Sequence, residues 1–183
     1  MKKNALRTLY KQKRNKLNTA QKTIFEKSIY CQIYSMSFKE FNNIHLFLSI
    51  QKHNEINTQP LIDFFRKQNK KIITSKCNFN NNSLSHYYLK KGTELKTNKF
   101  GVPEPVNAVE ISVKEIDLVF VPLLISDTKN YRVGYGKGFY DRFLASCRKN
   151  VKTIGLNYFS PVKTISNLDK FDIPLNTVIY PKL

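Results

Sequence analysis

The sequence predicts an α/β protein, a three-layer α/β/α sandwich with a mostly parallel, Rossmann-like sheet. Short runs rich in Val, Ile, Leu and Phe recur at 44–48, 71–74, 117–125, 151–154 and 177–180, and stretches with helical spacing lie between several of them. The first strand, helix and strand come in that order, which calls for a right-handed crossover and parallel pairing. The most apolar run, Leu118-Val-Phe-Val-Pro-Leu-Leu-Ile125, leads into a loop with glycine at 134, 136 and 138 and then a helical pattern. In open α/β sheets such loops, beyond the strand ends, hold ligands.

Residues 2–17 have helical character, with Leu6, Leu9, Tyr10 and Leu17 on an approximate stripe. Lys3, Arg7 and Arg14 share another face, which from this helix alone reads as solvated and basic. A second helix is expected over 20–36, capped by Thr19. Ile44–Leu48 is a short buried strand, and 51–58, with Glu55, a polar turn. Thr58 and Pro60 start a helix that runs to about Gln68. The strand at 71–74 is followed by Asn-rich punctuation at 78–82 and an alternating segment at 84–89. Phe100-Gly-Val-Pro-Glu-Pro105 is expected to be a rigid loop, because two prolines and a glycine prevent a helix. A helical turn near 112–115 precedes the strand at 117–125, the loop at 126–138 and a helix from Gly138 to Lys149. Strands at 151–154 and 177–180 complete the sheet.

At 183 residues the chain is long enough for one domain with its own core, and 1–183 is expected to be that domain. Its 41% hydrophobic and 13% aromatic content is that of a folded protein. A net charge of +18 suits an anionic partner. The lysines are scattered rather than clustered, which favours a small anionic ligand or plain surface charge over nucleic acid. Cys31, Cys77 and Cys147 are odd in number and far apart, so a reducing compartment is expected, without a disulfide framework or zinc site. No stretch approaches the roughly 20 apolar residues that span a bilayer. A cytoplasmic protein with no membrane, nucleic-acid or obligate protein partner is the expectation.

The chemistry concentrates in Arg132-Val-Gly-Tyr-Gly-Lys-Gly-Phe-Tyr-Asp-Arg142. Glycines let an anion approach the main chain, and the following helix turns free N–H groups and its positive dipole end toward it. The spacing is neither the dinucleotide fingerprint nor the Walker A loop. With Arg132, Lys137 and Asp141 beside it, the loop could hold a phosphate chain with Mg²⁺. Equally, Asp141 could be a first-turn carboxylate paired with Arg142. The scattered His45, His53 and His86 form no metal motif, and no Gly-x-Ser-x-Gly elbow occurs. Phosphoryl transfer, which needs positioning and charge neutralisation, suits the loop better. A non-catalytic basic RNA-binding protein is one rival reading, and an ATP-dependent transferase on the same scaffold is another.

Four collinear segments then resemble the 5-formyltetrahydrofolate cyclo-ligase family, also called methenyltetrahydrofolate synthetases. They are Lys3-Asn-Ala-Leu-Arg7, Phe47-Leu-Ser49 with Glu55-Ile-Asn-Thr58, Gly101-Val-Pro-Glu-Pro105, and Asp117-Leu-Val-Phe-Val-Pro122 with Asp127 and the loop 132–142. The resemblance implies Mg²⁺ as cofactor, ATP as co-substrate and 5-formyltetrahydrofolate as substrate. It also implies an ATP site at Lys3, Asn4, Ala5, Leu6, Arg7, Arg132, Val133, Gly134, Tyr135, Gly136, Lys137, Gly138, Phe139 and Tyr140. Ile50, Glu55, Tyr135, Gly136, Lys137, Gly138 and Phe139 would meet the folate. Lys137, Arg132 and Tyr140 would be catalytic, and Asp141 and Asp172 would carry the metal. Phe139 departs from the family pattern, in which Tyr is frequent, and Tyr135 stands where relatives can carry a basic residue.

Overall fold

The computed structural model describes residues 1–182. In chain order the helices are α1 (Lys3–Asn15), α2 (Thr19–Tyr34), α3 (Gln59–Lys67) and α4 (Phe139–Ser146). The strands are β1 (Asn43–His45), β2 (Lys71–Asn78), β3 (Ser83–Tyr88), β4 (Leu95–Thr97), β5 (Pro103–Pro105), β6 (Leu118–Pro122), β7 (Ile125–Ser126), β8 (Arg132–Val133), β9 (Lys152–Leu156) and β10 (Thr177–Ile179). Six strands form the central sheet in the order β10-β9-β6-β1-β2-β3. All its pairs are parallel except β2 with β3.

The expected layers are present. Ile29 and Ile33 of α2 and Leu61, Ile62 and Phe65 of α3 pack on one face of the sheet, against Ile44, Ile72, Leu118 and Phe120. Phe143, Leu144 and Cys147 cover the other face, against Ile73, Val119 and Val121. Successive strand residues point to opposite faces, so β6 is apolar throughout because both of its faces are covered. A third cluster joins Leu6 and Tyr10 of α1 to Leu124, Ile125, Val133 and Ile165 at the end of the sheet.

Several local readings change. Asn18, not Thr19, caps α2: its side chain accepts from the Gln21 N–H, and the Gln21 side chain accepts from the Asn18 N–H, a capping box. Thr58 does start α3, but its hydroxyl donates to the Phe47 carbonyl (2.6 Å) and ties the helix to the chain leaving β1. The run at 117–125 is not one strand. Pro122 has no N–H to continue a ladder, and the chain turns so that β7 pairs antiparallel with β8, in register Ile125↔Val133. The loop 126–138 therefore contains a hairpin arm, held by the buried Asp127 carboxylate, which accepts the N–H groups of Lys129, Tyr131 and Ile165. Within 100–105, Pro103–Pro105 forms β5, paired with β4 in a two-stranded ribbon where proline is tolerated. Glu104 ties the ribbon to the main sheet by accepting the Cys77 N–H (2.9 Å).

From β1 the chain builds outward through β2 and β3, then returns to lay β6 on the other side of β1. The strand order reverses between β1 and β6, and their carboxyl ends open into a crevice.

Candidate active site

A cleft of about 1150 Å³ lies over that reversal point. Its walls are the start of α1, the segment 47–55 after β1, the later half of β2, the β4–β5 ribbon, the glycine loop with α4, and the stretch 169–173.

Part of the lining is cationic and built on the glycine loop. Gly136 has φ +94°, and a Cβ there would lie 3.0 Å from the Arg7 guanidinium carbon. Gly138 has φ +73°, and a Cβ would come within 2.9 Å of Arg142. Both glycines thus serve an uncommon backbone angle and a close approach of arginine. Arg7 Nε donates to the Gly134 carbonyl (2.9 Å), fastening α1 to the loop. The first-turn N–H groups of α4 open beside it. Lys137 is exposed and, among the described residues, forms no ion pair or side-chain hydrogen bond. Arg132, by contrast, is engaged: its guanidinium donates to Asp141 (2.6 Å) and to the Ile173 carbonyl (2.5 Å). Burial lowers the Arg132 pKa, and Asp141 and Asp172 oppose that shift. Lys3 pairs with Asp172.

Much of the remaining lining is apolar, with Phe47, Leu48, Ile50, Leu84 and Val102 on the walls. The rings of Phe79 and Phe100 lie 3.9 Å apart, and Phe139 meets Phe79 edge-on at 5.5 Å. Glu55, 8% exposed, accepts the Ile50 N–H (2.9 Å) through one oxygen. Burial raises its pKa, against the opposing effects of that hydrogen bond and of Arg14 and Tyr135. Such a carboxylate keeps acceptor capacity for two neighbouring N–H donors on a ligand. The β-sheet floor carries a polar chain in which Ser75 Oγ lies 2.7 Å from His45 Nε2 and 3.1 Å from His86 Nδ1. Burial drives His45 well below its ordinary pKa and His86 down to about 4, so both rings are neutral at pH 7.

A cleft lined by both a cationic glycine loop and a buried carboxylate is the setting for comparison with known proteins. The profile described as the 5-formyltetrahydrofolate cyclo-ligase family matches residues 1–181. The chain belongs to the 5-formyltetrahydrofolate cyclo-ligase family. The cyclo-ligase of Mycoplasma genitalium is 30% identical over 97% of this chain and 96% of its own length. That of Haemophilus influenzae is 32% identical over 77% of this chain and 76% of its own. The solved 5,10-methenyltetrahydrofolate synthetase of Aquifex aeolicus superimposes with TM-score 0.81 at 27% identity, covering 98% of this chain and 89% of that one.

Against the expectations for a cyclo-ligase, the cleft brings together Lys3, Arg7, Ile50, Glu55, every residue from Arg132 to Asp141, and Asp172. It does not include Asn4, Ala5 or Leu6. Leu6 is fully buried in the α1 core cluster because it lies on the inner stripe of the helix. Asn4 is exposed and accepts from Arg7, and Ala5 is exposed beside it. Arg14, assigned from the sequence to a solvated face, is instead 4% exposed. Ser75, Cys77, Phe79 and Phe100 line the cleft without having been singled out as site residues. The alternation at 84–89 marked the strand opposite Ser75 and Cys77, but no local pattern shows which strand faces a cleft.

The residues fit a magnesium ion that arrives with a nucleotide. Such an ion keeps waters and phosphate oxygens and needs only one or two carboxylates. Asp141 and Asp172 both lie close enough to Arg132 to act on its charge, and each is balanced by a cation. Among the described residues no group of three His, Cys, Asp or Glu side chains forms a closed metal cage. No described helix is long and apolar enough to cross a membrane.

Proposed function

We propose that this chain is a single cyclo-ligase domain that converts 5-formyltetrahydrofolate and ATP into 5,10-methenyltetrahydrofolate, ADP and phosphate. The observation that carries the reading is the single cleft lined by Lys137, the glycine loop and buried Glu55. ATP phosphates would lie along Gly134–Gly138 with Lys137, Lys3 and Arg7. The pterin would enter among the apolar walls, with its amino and ring N–H groups on Glu55 and the remainder of the folate along Ile50 and Phe139.

The formyl oxygen is a poor leaving group until it is phosphorylated. In this reading it attacks the γ-phosphorus, ADP leaves, and an N5-iminium phosphate forms. N10 then adds to the activated carbon and loses its proton, and phosphate departs with the former formyl oxygen. The enzyme's tasks are alignment and charge stabilisation. Lys137 would follow the γ-phosphoryl group, while Arg132 would orient Asp141, and Tyr140 would pack beneath the loop against Phe143. Mg²⁺ held by Asp141 and Asp172 would neutralise phosphate charge.

Purified protein given ATP, Mg²⁺ and 5-formyltetrahydrofolate should develop the near-ultraviolet absorbance of the methenyl product, dependent on all three. Folded protein that binds both substrates and yields no product would defeat the reading.

A further inference from the structure

Arg142, the fourth residue of α4, is exposed and lines the cleft. Its neighbour Asp141 pairs with Arg132, and no carboxylate lies within 4.0 Å of Arg142 among the described residues. What its guanidinium holds is main chain. One nitrogen, Nη1, donates to the Lys137 carbonyl at 2.9 Å and lies 3.4 Å from the carbonyl oxygen of Asn82, in the turn between β2 and β3. The first is a well-formed hydrogen bond and the second a long one.

A trans peptide is planar, so its N–H points opposite to its C=O. With the Lys137 carbonyl turned onto Arg142, the Gly138 N–H is turned away from that arginine, and it has no protein acceptor among the described residues. The helix cap is unusual at the same place. An N-cap residue ordinarily has extended backbone, but Gly138 has φ +73° and ψ 14°. Glycine enters that region without strain and can leave it as easily, so nothing in the residue itself stops the 137–138 peptide from rotating. A flipped peptide would put a carbonyl oxygen where the loop otherwise offers an N–H, and an anion would be repelled. Gly138 also gives the arginine room, since a Cβ there would stand 2.9 Å from Nη1.

We propose that Arg142 is a positioning residue for the glycine loop, whose bond to the Lys137 carbonyl keeps the Gly138 N–H presented to the phosphates of ATP. The inference rests on the cyclo-ligase reading, which lays those phosphates along Gly134–Gly138. The arginine acts through the backbone: it is a clamp on one peptide, not a phosphate ligand. Its reach toward Asn82 also sets the loop beside the hairpin turn whose Phe79 meets Phe139.

The test uses the full chain and compares wild type with Arg142→Met and Arg142→Ala, two residues that suit a helix. Loss of one charge-assisted hydrogen bond predicts a rise of about tenfold in KM for ATP in both variants, with KM for 5-formyltetrahydrofolate changed by less than about twofold. A second measurement, on ligand-free protein, separates a clamp from a direct phosphate contact. The nitrogen resonance of an amide responds to what the preceding carbonyl accepts, so the Gly138 ¹⁵N signal should shift in both variants by more than that of Gly136, which lies against Arg7 instead. An unaltered KM for ATP, equal rises in both KM values, or a Gly138 signal moved no further than that of Gly136 would each overturn the proposal. If one variant does not fold, the other decides by the same criteria. Wild-type protein without turnover would refute the cyclo-ligase reading itself, whereas normal turnover with an unaltered Arg142→Met refutes only the role of Arg142.

Discussion

At the scale of single residues, the cations of the cleft divide by what already holds them. Arg132 spends its fork on Asp141 and the Ile173 carbonyl, and Lys3 is paired with Asp172. Lys137 is exposed on the loop with no protein partner among the described residues, so its charge is available to a ligand. Lys137→Ala should therefore cut kcat by about 100-fold or more, the scale of losing one preorganised charge-stabilising donor. Its thermal unfolding should be unchanged, because an exposed side chain without partners supports little structure. Steady-state kinetics with a melting curve checks both. A lysine inside a Gly-x-Gly-x-Gly run could be noticed from the sequence, and so could Glu55 once its flanking motif was seen. Arg14 could not, because its partners are the Leu123 carbonyl and Tyr135, more than a hundred positions away.

At the scale of elements, the glycine loop forms a cradle between α1 and α4. Gly136→Ala would place a side chain at φ +94° and press a Cβ to within 3.1 Å of the Arg7 guanidinium nitrogens. The expected result is a KM for ATP raised about tenfold or more with the helices intact, since the strain and the displaced arginine both fall on the proposed phosphate end. Nucleotide titration and circular dichroism together measure this, and an unaltered ATP affinity would show that Arg7 has no part in it. The helices and the buried strands were legible because their periodicity is local. Two elements were not: the break after Pro122 and the β4–β5 ribbon. Each depends on a backbone pairing that apolar periodicity does not encode, β7 with β8 in one case and β4 with β5, tied to Cys77 by Glu104, in the other.

At the scale of the whole molecule, the sheet both frames the cleft and buries two neutral histidines beneath it. His86 takes up a proton only near pH 4 in the folded protein, below its ordinary 6.5. Between those values the unfolded chain binds more protons, so stability is complete above pH 6.5 and falls as the medium is acidified toward 4. The slope from His86 is at most about 1.4 kcal/mol per pH unit, and His45 adds a contribution of the same sign. Urea unfolding at pH 7.5, 6 and 5 should show wild type losing stability faster than His86→Gln. Parallel curves would contradict neutral burial of His86. Glu55 works in the opposite direction, since its carboxyl pKa is raised on folding, and comparing the two proteins cancels it.

The architecture was legible at this scale too, because the order of apolar runs and helices restricts the sheet to few topologies. The placement of the cleft followed from the reversal between β1 and β6 rather than from any one motif. The central claim is that this cleft aligns the formyl oxygen of one substrate with the terminal phosphorus of the other. Turnover of 5-formyltetrahydrofolate labelled with ¹⁸O in the formyl group, followed by mass analysis of the released phosphate, tests it most directly. The account predicts one labelled oxygen in each phosphate. Unlabelled phosphate released alongside methenyl product would contradict it.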